Sequence, residues 1–220
     1  MSDQIERERA SEQTLSLLEE ATREHKNNPD DPKRLTDLYI TFWAKYGQII
    51  GKICTVDTYP LGSREIREGI KKEQRDIFKP ANVSLVDLGR MFPKMGGWAV
   101  AEGNSVVDTI NNSGWLRIEA SVDAPNRNTT QGQLEEKFRK ERKQGQSLRT
   151  YIIGGQTSKL LTDKYFDQGI NWSRLPGSCR GGRVLDSRFH SVGSLYVYSH
   201  LHPGYRHEFI GGRSEEVIKP

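Results

Sequence analysis

The chain of 220 residues is poor in cysteine and has no long apolar run. Its two cysteines, Cys54 and Cys179, are too few for a secreted disulfide framework, and neither has a second cysteine at zinc-knuckle spacing. No apolar run approaches the roughly 20 residues that a membrane-spanning helix needs. The opening residues MSDQIERERA also lack the apolar core of a signal peptide. We therefore expect an intracellular protein, cytoplasmic or nuclear, without a transmembrane segment.

Acidic residues are scarce relative to basic ones once the first 31 residues are set aside. Residues 1–31 carry nine Asp/Glu and four Lys/Arg, a net charge of −5, whereas the whole chain carries +4. The remaining 189 residues therefore carry +9. Such an excess favours a polyanionic partner, either nucleic acid or an anionic membrane surface. The plainer alternative is a soluble protein with a lysine-rich surface.

Residues 1–28 are predicted to form an acidic N-terminal arm or helix, separate from a single α+β domain over residues 29–220. Leu15, Leu18 and Ala21 give this segment only a thin apolar stripe, which needs a partner to pack against. Because the charge of the arm opposes that of the rest of the chain, the arm can shield the basic surface within the molecule or dock on a neighbouring subunit. The narrow apolar seam favours docking on a neighbouring subunit. This predicts a homo-oligomer.

The first half of residues 29–220 has the periodicity of helices. Asp31 and Pro32 are suited to the start of a helix whose apolar face runs from Leu35 to Ile53. Further helices are predicted over Ser63–Phe78 and Ser84–Phe92.

The second half, from Pro93 onwards, is richer in glycine and in β-formers. The segments GWAVAE, SGWLRIEASV, SLRTYIIGG and SLYVYSH are predicted strands. Helices are predicted over Leu134–Lys143 and Ser158–Phe166. The fold class is therefore α+β, with a mainly helical N-terminal half packed on a C-terminal half that holds a mixed or antiparallel sheet.

Histidine is concentrated in the stretch YVYSHLHPGYRHEF. His200 and His202 are one residue apart after a strand-like run, so both imidazoles can face the same ion. One hypothesis is a site for a divalent metal such as zinc, bound by His200, His202 and His207. In a metal-dependent hydrolase, the catalytic candidates are His200, His202 and Glu208. The alternative is a strand that ends at Ser199, followed by a turn with exposed histidines.

Two family resemblances attach to these histidines. HLHPGY after LYVY resembles the H-x-H-P motif of JAMM-type deubiquitinating metalloproteases, but RHEFIGGRSEE lacks the aspartate that follows there. The same residues resemble the first cupin motif, with a histidine-to-glutamate gap one residue longer than usual. Because each resemblance breaks at a required position, the chain is assigned to neither family.

Two further resemblances concern other residues. GSCRGG followed by FHSVG resembles the nucleophile end of chymotrypsin-like viral cysteine proteases, but His25 is the only histidine upstream of Cys179. Asp108 and Glu119 have the acids of a PD-(D/E)xK nuclease, with Ser121 in place of its lysine. Neither chemistry is assembled by these residues.

Arginine is frequent around a glycine-rich segment in the last quarter of the chain. Glycines allow close backbone approach and guanidinium groups bind phosphate, so Arg174, Arg180, Arg183 and Arg188 are candidate nucleic-acid-binding residues. The aromatic residues among them are candidates for base stacking. They are Trp172, Phe189, Tyr196, Tyr198 and Tyr205.

A predicted helix adds a second basic group. Its candidate nucleic-acid-binding residues are Lys137, Arg139, Lys140, Arg142 and Lys143. Three glutamates interrupt them, so a solvated helix face is the alternative.

The preferred hypothesis is a nucleic-acid-binding protein, either a self-assembling nucleocapsid-like or coat-like viral protein or a DNA-processing protein. The competing hypothesis is the metal-dependent, nuclease-like hydrolase described above.

Overall fold

The computed structural model describes the backbone of residues 2–219 and the side chains of residues 12–219. Over that range the chain forms six α-helices and two sheets, which confirms the predicted α+β class. The helices are α1 (Ser2–Asn27), α2 (Pro32–Ile50), α3 (Ser63–Lys71), α4 (Leu85–Met91), α5 (Gln131–Lys140) and α6 (Leu148–Thr162). The strands are β1 (Gln74–Lys79), β2 (Val107–Asp108), β3 (Gly114–Glu119), β4 (Gln144–Gly145), β5 (Trp172–Arg180), β6 (Arg183–Phe189), β7 (Leu195–Tyr198), β8 (Ile210–Gly212) and β9 (Ser214–Val217). Within the described chain, no helix has the length and apolar character to cross a membrane.

Helix α2 is the predicted amphipathic core helix. The Asp31 carboxylate accepts a hydrogen bond from the Lys33 amide at 2.8 Å, and Pro32 occupies the first helical position. Gly51 ends the helix in a left-handed conformation with φ of 66°. The apolar face is buried from Leu35 to Trp43, and the indole of Trp43 donates a hydrogen bond to the carbonyl of Phe78. The face predicted to run on to Ile53 was too long, because α2 ends at Ile50, and Ile49 and Ile53 are 54% and 89% exposed.

The second half of α1 packs against α2. Leu18, Thr22 and His25 are buried, whereas Leu15, from the same thin apolar stripe, is exposed. Part of this stripe therefore belongs to the core of the chain itself. The division into an arm and a domain at residue 28 stays a prediction.

The first sheet has the strand order β1-β3-β9-β4, and all its pairs are antiparallel. The prediction of a helix over Ser63–Phe78 was wrong in its second half. Helix α3 ends at Lys71, and the strand β1 begins at Gln74. Glu73 turns the chain with φ of 55° between the two elements. Asp76 on β1 is buried and ion-paired with Arg117 on β3 at 2.7 Å. This contact between distant parts of the chain stabilises the strand and is not visible in the local sequence.

The second sheet has the order β2-β5-β6-β7, with antiparallel pairs, and β8 adds a parallel pair to the first residues of β5. The glycine-rich segment that carries Arg174, Arg180 and Arg183 forms most of β5 and the turn into β6. The predicted SLYVYSH strand is confirmed as β7.

Helix α6 contacts strands of both sheets, and its sequence SLRTYIIGG was wrongly predicted to be a strand. Buried apolar runs lack the periodicity that separates a helix from a strand. Gly154 and Gly155 bring the helix close to its neighbours. A Cβ at Gly155 would lie 2.3 Å from the ring of Phe189. The predicted GWAVAE strand was also wrong, because Trp98–Val100 form a single 3₁₀ turn.

Candidate nucleic-acid interface

The strand register places aromatic and arginine side chains on one face of the second sheet. Arg188 on β6 is paired with Tyr196 on β7, and Asp186 is paired with both Tyr198 and Arg174. Residues paired across strands, and residues two apart along one strand, share a face. The opposite face carries buried core residues: Ser173, Leu175, Leu185, Ser187, Phe189, Leu195 and Val197.

A continuous row of rings and one guanidinium lies on the outer face. The guanidinium of Arg188 is 4.6 Å from the ring centre of Trp172 and 5.3 Å from that of Tyr196. The Trp172 and Tyr198 rings are 5.0 Å apart. His190 contacts Tyr196 edge-on at one end of the row. His200 does the same with Tyr198 at the other end.

We call this row the aromatic strip, defined as Trp172, Arg188, His190, Tyr196, Tyr198 and His200. Tyr196 and Tyr198 are 40% and 45% exposed. A substantial part of each tyrosine side chain is therefore accessible to solvent.

The glycine-rich arginine segment is a tight β-hairpin beside the strip. Gly181 and Gly182 have φ of 54° and 75°, the left-handed conformations that a two-residue type I′ turn requires. Arg180 and Arg183 face each other across the hairpin mouth, and both are exposed. The guanidinium of Arg180 lies 4.3 Å from the ring centre of Trp98.

A cavity of about 500 Å³ connects this hairpin to the strip. Trp98 and Arg180 line it together with Tyr198 and His200. The indole of Trp98 donates a hydrogen bond to the carbonyl of Val197, which holds the ring against the edge of β7. Sequence reasoning missed Trp98, because the only signal was its position beside two glycines in a segment wrongly predicted to be a strand.

Arg174 does not join the exposed arginines, contrary to the role predicted for it. Its side chain is buried and ion-paired with the buried Asp186 at 3.3 Å. It also donates hydrogen bonds to the carbonyls of Thr129 and Tyr205. Burial raises the pKa of the Asp186 carboxyl to about 6, and the Arg174 guanidinium opposes that rise. Arg174 thus holds the loop after β7 against the sheet and cannot reach a phosphate.

The basic residues of α5 are largely neutralised by glutamates. Lys140 lies 2.8 Å from Glu136, and Lys137 and Lys143 both lie within 4 Å of Glu141. Arg139 and Arg142 are exposed. Ion pairs of this kind suit the solvated helix face that the sequence left as the alternative.

The histidines after β7 lie on an exposed turn that contains Pro203 and Gly204. Nδ1 of His202 accepts a hydrogen bond from the Gly204 amide at 3.0 Å, and Nδ1 of His207 accepts one from the Phe209 amide at 3.3 Å. Glu208 is exposed beside them. In the described part of the chain, no three His, Cys, Asp or Glu side chains are grouped so that they could hold a metal ion. The zinc site therefore stays a prediction without an assembled ligand set.

Only some of the aromatic residues that were predicted to stack with bases belong to the aromatic strip. Trp172, Tyr196 and Tyr198 join the strip, but Phe189 is wholly buried under the sheet. Tyr205 lies in the turn and stacks on His207 with ring centres 6.3 Å apart. His190 also joins the strip, although it was not among the predicted stacking residues.

The two acids considered for a nuclease site lie on different sheets. Asp108 on β2 pairs with Arg149 at 2.5 Å. Glu119 on β3 accepts a hydrogen bond from the Ser214 amide at 2.7 Å. Both carboxylates are thus engaged in structural contacts.

Comparisons with models of protein families, with curated proteins and with solved structures found no match to this chain.

Proposed function

We propose that the chain binds single-stranded nucleic acid on the outer face of its second sheet. The observation that carries this proposal is the aromatic strip. Aromatic side chains on a sheet stack with unpaired bases, and each such stack contributes about 1–3 kcal/mol. Bases in a duplex are already stacked on each other, so the strip suits single strands.

The spacing along β7 supports two stacking positions. Tyr196 and Tyr198 are two residues apart on the same face, a separation of about 7 Å along a strand. Each phenol can therefore take one of two successive bases in an extended single strand. Trp172 contacts Tyr198 at an interplanar angle of 58°, and the guanidinium of Arg188 lies against the Trp172 and Tyr196 rings, so both groups are next to the two stacking positions.

Exposed charge next to the strip supports binding of the phosphates. Arg180 and Arg183 at the hairpin mouth have no carboxylate within ion-pair distance among the described side chains. The acid that β6 places on the strip side of the sheet, Asp186, is buried and held by Arg174. The hairpin end of the sheet therefore offers cations next to the strip, and Arg180 shares a cavity with Tyr198 and His200. No exposed carboxylate from β6 lies on the strip to repel a polyanion.

The test is fluorescence anisotropy with a labelled oligothymidine or oligouridine of about 16 nucleotides, and with a duplex of equal length. Low-salt buffer should give binding to both single strands and weaker binding to the duplex. The affinity should fall as salt rises, because phosphate contacts release counterions. Absence of binding at low salt, or preference for the duplex, would refute the proposal.

The expected homo-oligomer, and with it a coat-like or nucleocapsid-like role, stays a separate prediction. Light scattering of the chain with and without the oligonucleotide tests it. Binding to the strip does not depend on the outcome.

A further inference from the structure

A second recess lies on another part of the molecule, between the end of α1, α3, β1 and α6. Its volume is about 380 Å³, within the range of small-molecule pockets, and it shares no lining residue with the aromatic strip. The side chains relevant here are His25, Leu35, Ile66, Ile70, Arg75 and Leu161.

His25 presents an unused polar atom to this recess. The residue is 6% exposed, and its Nδ1 is buried with no hydrogen-bond partner within the described chain. Burial, reinforced by the charge of Arg75, lowers the pKa of His25 to about 4. The imidazole is therefore neutral at pH 7. Buried polar atoms in native proteins nearly always have a partner, so an unpaired one is a reason to look for a ligand.

Arg75 presents an unused cation to the same recess. One terminal nitrogen of its guanidinium is buried and unpaired, and no carboxylate in the described residues lies within ion-pair distance of it. The adjacent Asp76 is already held by Arg117 and by the Tyr59 hydroxyl. Burial lowers the pKa of Arg75, because it removes water from the charged form. Arg75 is half-buried, and a guanidinium nitrogen that is buried without a partner is costly, a cost that an anion would remove.

The rest of the recess is largely apolar. Leu35, Ile66, Ile70 and Leu161 come from α2, α3 and α6 and face the space beside the two polar groups. Lys26 and Glu73, both exposed, also line the recess and have opposite charges. An occupant therefore needs an anionic end and an aliphatic body.

We propose that this recess binds a small organic anion, a carboxylate with an aliphatic chain. The guanidinium of Arg75 takes the carboxylate oxygens, and the His25 tautomer with its proton on Nδ1 donates a further hydrogen bond. The aliphatic chain lies against the leucine and isoleucine side chains. This site is independent of the proposed nucleic-acid surface.

Isothermal titration calorimetry with octanoate, and with octanol as the uncharged counterpart, tests the proposal. Octanoate should bind the full chain more tightly than octanol does. Arg75→Met should weaken octanoate binding about tenfold or more, since a hydrogen bond to a charged group is lost, and should leave octanol unaffected. Arg64→Met is the matched control, because Arg64 lies on α3 with an 84% exposed side chain outside the recess.

A second variant keeps the test decisive if Arg75→Met does not fold. Ile70→Trp puts a bulky ring at the recess and should abolish octanoate binding, whereas Ile49→Trp on the exposed surface of α2 should not. Equal binding of octanoate and octanol, no binding of octanoate, or unchanged affinity in both recess variants would overturn the proposal.

Discussion

The guanidinium of Arg188 lies over the indole ring of Trp172, 4.6 Å from its centre. The ring of Tyr196 lies on the same guanidinium at 5.3 Å, and Nη1 donates a hydrogen bond to the carbonyl of Gly169. A long side chain held by two rings and a carbonyl loses little further rotamer freedom when a ligand binds. Arg188 is thus held in place in the absence of a ligand.

Replacing both exposed tyrosines of β7 should weaken single-strand binding. The Tyr196→Leu/Tyr198→Leu double variant keeps apolar strand residues and removes two stacking rings. The affinity for oligothymidine should fall at least about thirtyfold, given about 1–3 kcal/mol for each of the two lost stacks. Fluorescence anisotropy at constant salt measures this.

Tyr205→Leu is the matched control for that experiment. Tyr205 is 43% exposed, close to the exposure of Tyr196 and Tyr198, but lies outside the strip. Its replacement should leave the affinity nearly unchanged. An equal loss in the control and in the double variant would show that binding does not use the strip.

The hairpin arginines should determine the salt dependence of binding. If Arg180 and Arg183 each contact one phosphate, the Arg180→Gln/Arg183→Gln variant should reduce the slope of log affinity against log salt by about 1.4. Lys137→Gln/Lys140→Gln removes the same charge from α5, where glutamates already pair with the lysines. That variant should change the slope less. If the slope changes more in the α5 variant than in the hairpin variant, the phosphate contacts are made by the helix and not by the hairpin.

The sequence predicted the fold class and several elements for clear physical reasons. The Asp31 cap and the broad apolar face of α2 are local signals, and so is the alternation in LYVY. The sequence of β1 was wrongly predicted to be helical, and the first part of α6 was wrongly predicted to be a strand. Both errors arose because tertiary contacts determine the conformation of these segments. Asp76 on β1 is ion-paired with Arg117 on the neighbouring strand. The apolar residues of α6 are buried on several sides of the helix, so they do not recur with a helical period.

Arg174 should contribute to stability rather than to direct contact with nucleic acid. Arg174→Met leaves the buried Asp186 without its cation, so the free energy of unfolding at pH 7 should fall by about 3–5 kcal/mol. The same change at exposed Arg183 should cost almost nothing. Urea unfolding of both variants measures the difference, and similar losses in the two would contradict the buried pairing.

The loss caused by Arg174→Met should be smaller at pH 5 than at pH 7. Burial raises the pKa of Asp186 to about 6, and removing the opposing arginine raises it further. A raised carboxyl pKa stabilises the folded state at low pH, and this contribution is lost as pH rises through the folded pKa. A penalty that is independent of pH would argue against an ionised Asp186.

His25 should make the chain sensitive to acid. Its folded pKa of about 4 lies below the ordinary value of 6.5, since burial and Arg75 outweigh the opposing charge of Asp31. The stability it contributes is complete above pH 6.5 and is lost as pH falls towards 4. Over that range the wild type should lose about 3 kcal/mol more than His25→Gln, by urea unfolding at each pH. Parallel pH profiles would contradict a neutral, buried His25.

The candidate interface could be predicted only in part. Residues 172–198 contain arginines close to aromatic residues in the sequence. Residue types alone do not show on which face of the sheet each side chain lies. The register between β6 and β7 put Arg188 beside Tyr196 and hid Arg174 under the loop. His190 directly follows the end of β6, and Trp98 lies in the 3₁₀ turn. No local sequence pattern predicts that either residue lies at this surface.

Photocrosslinking of a thiothymidine-substituted single strand to the full chain, with the crosslinked peptides mapped by mass spectrometry, shows where the strand binds. Crosslinks are expected in the peptides that carry Trp172, Tyr196 and Tyr198, and they should be lost in the double tyrosine variant. Crosslinks concentrated on residues 137–143, with none on β5 to β7, would show that single strands bind away from the aromatic strip.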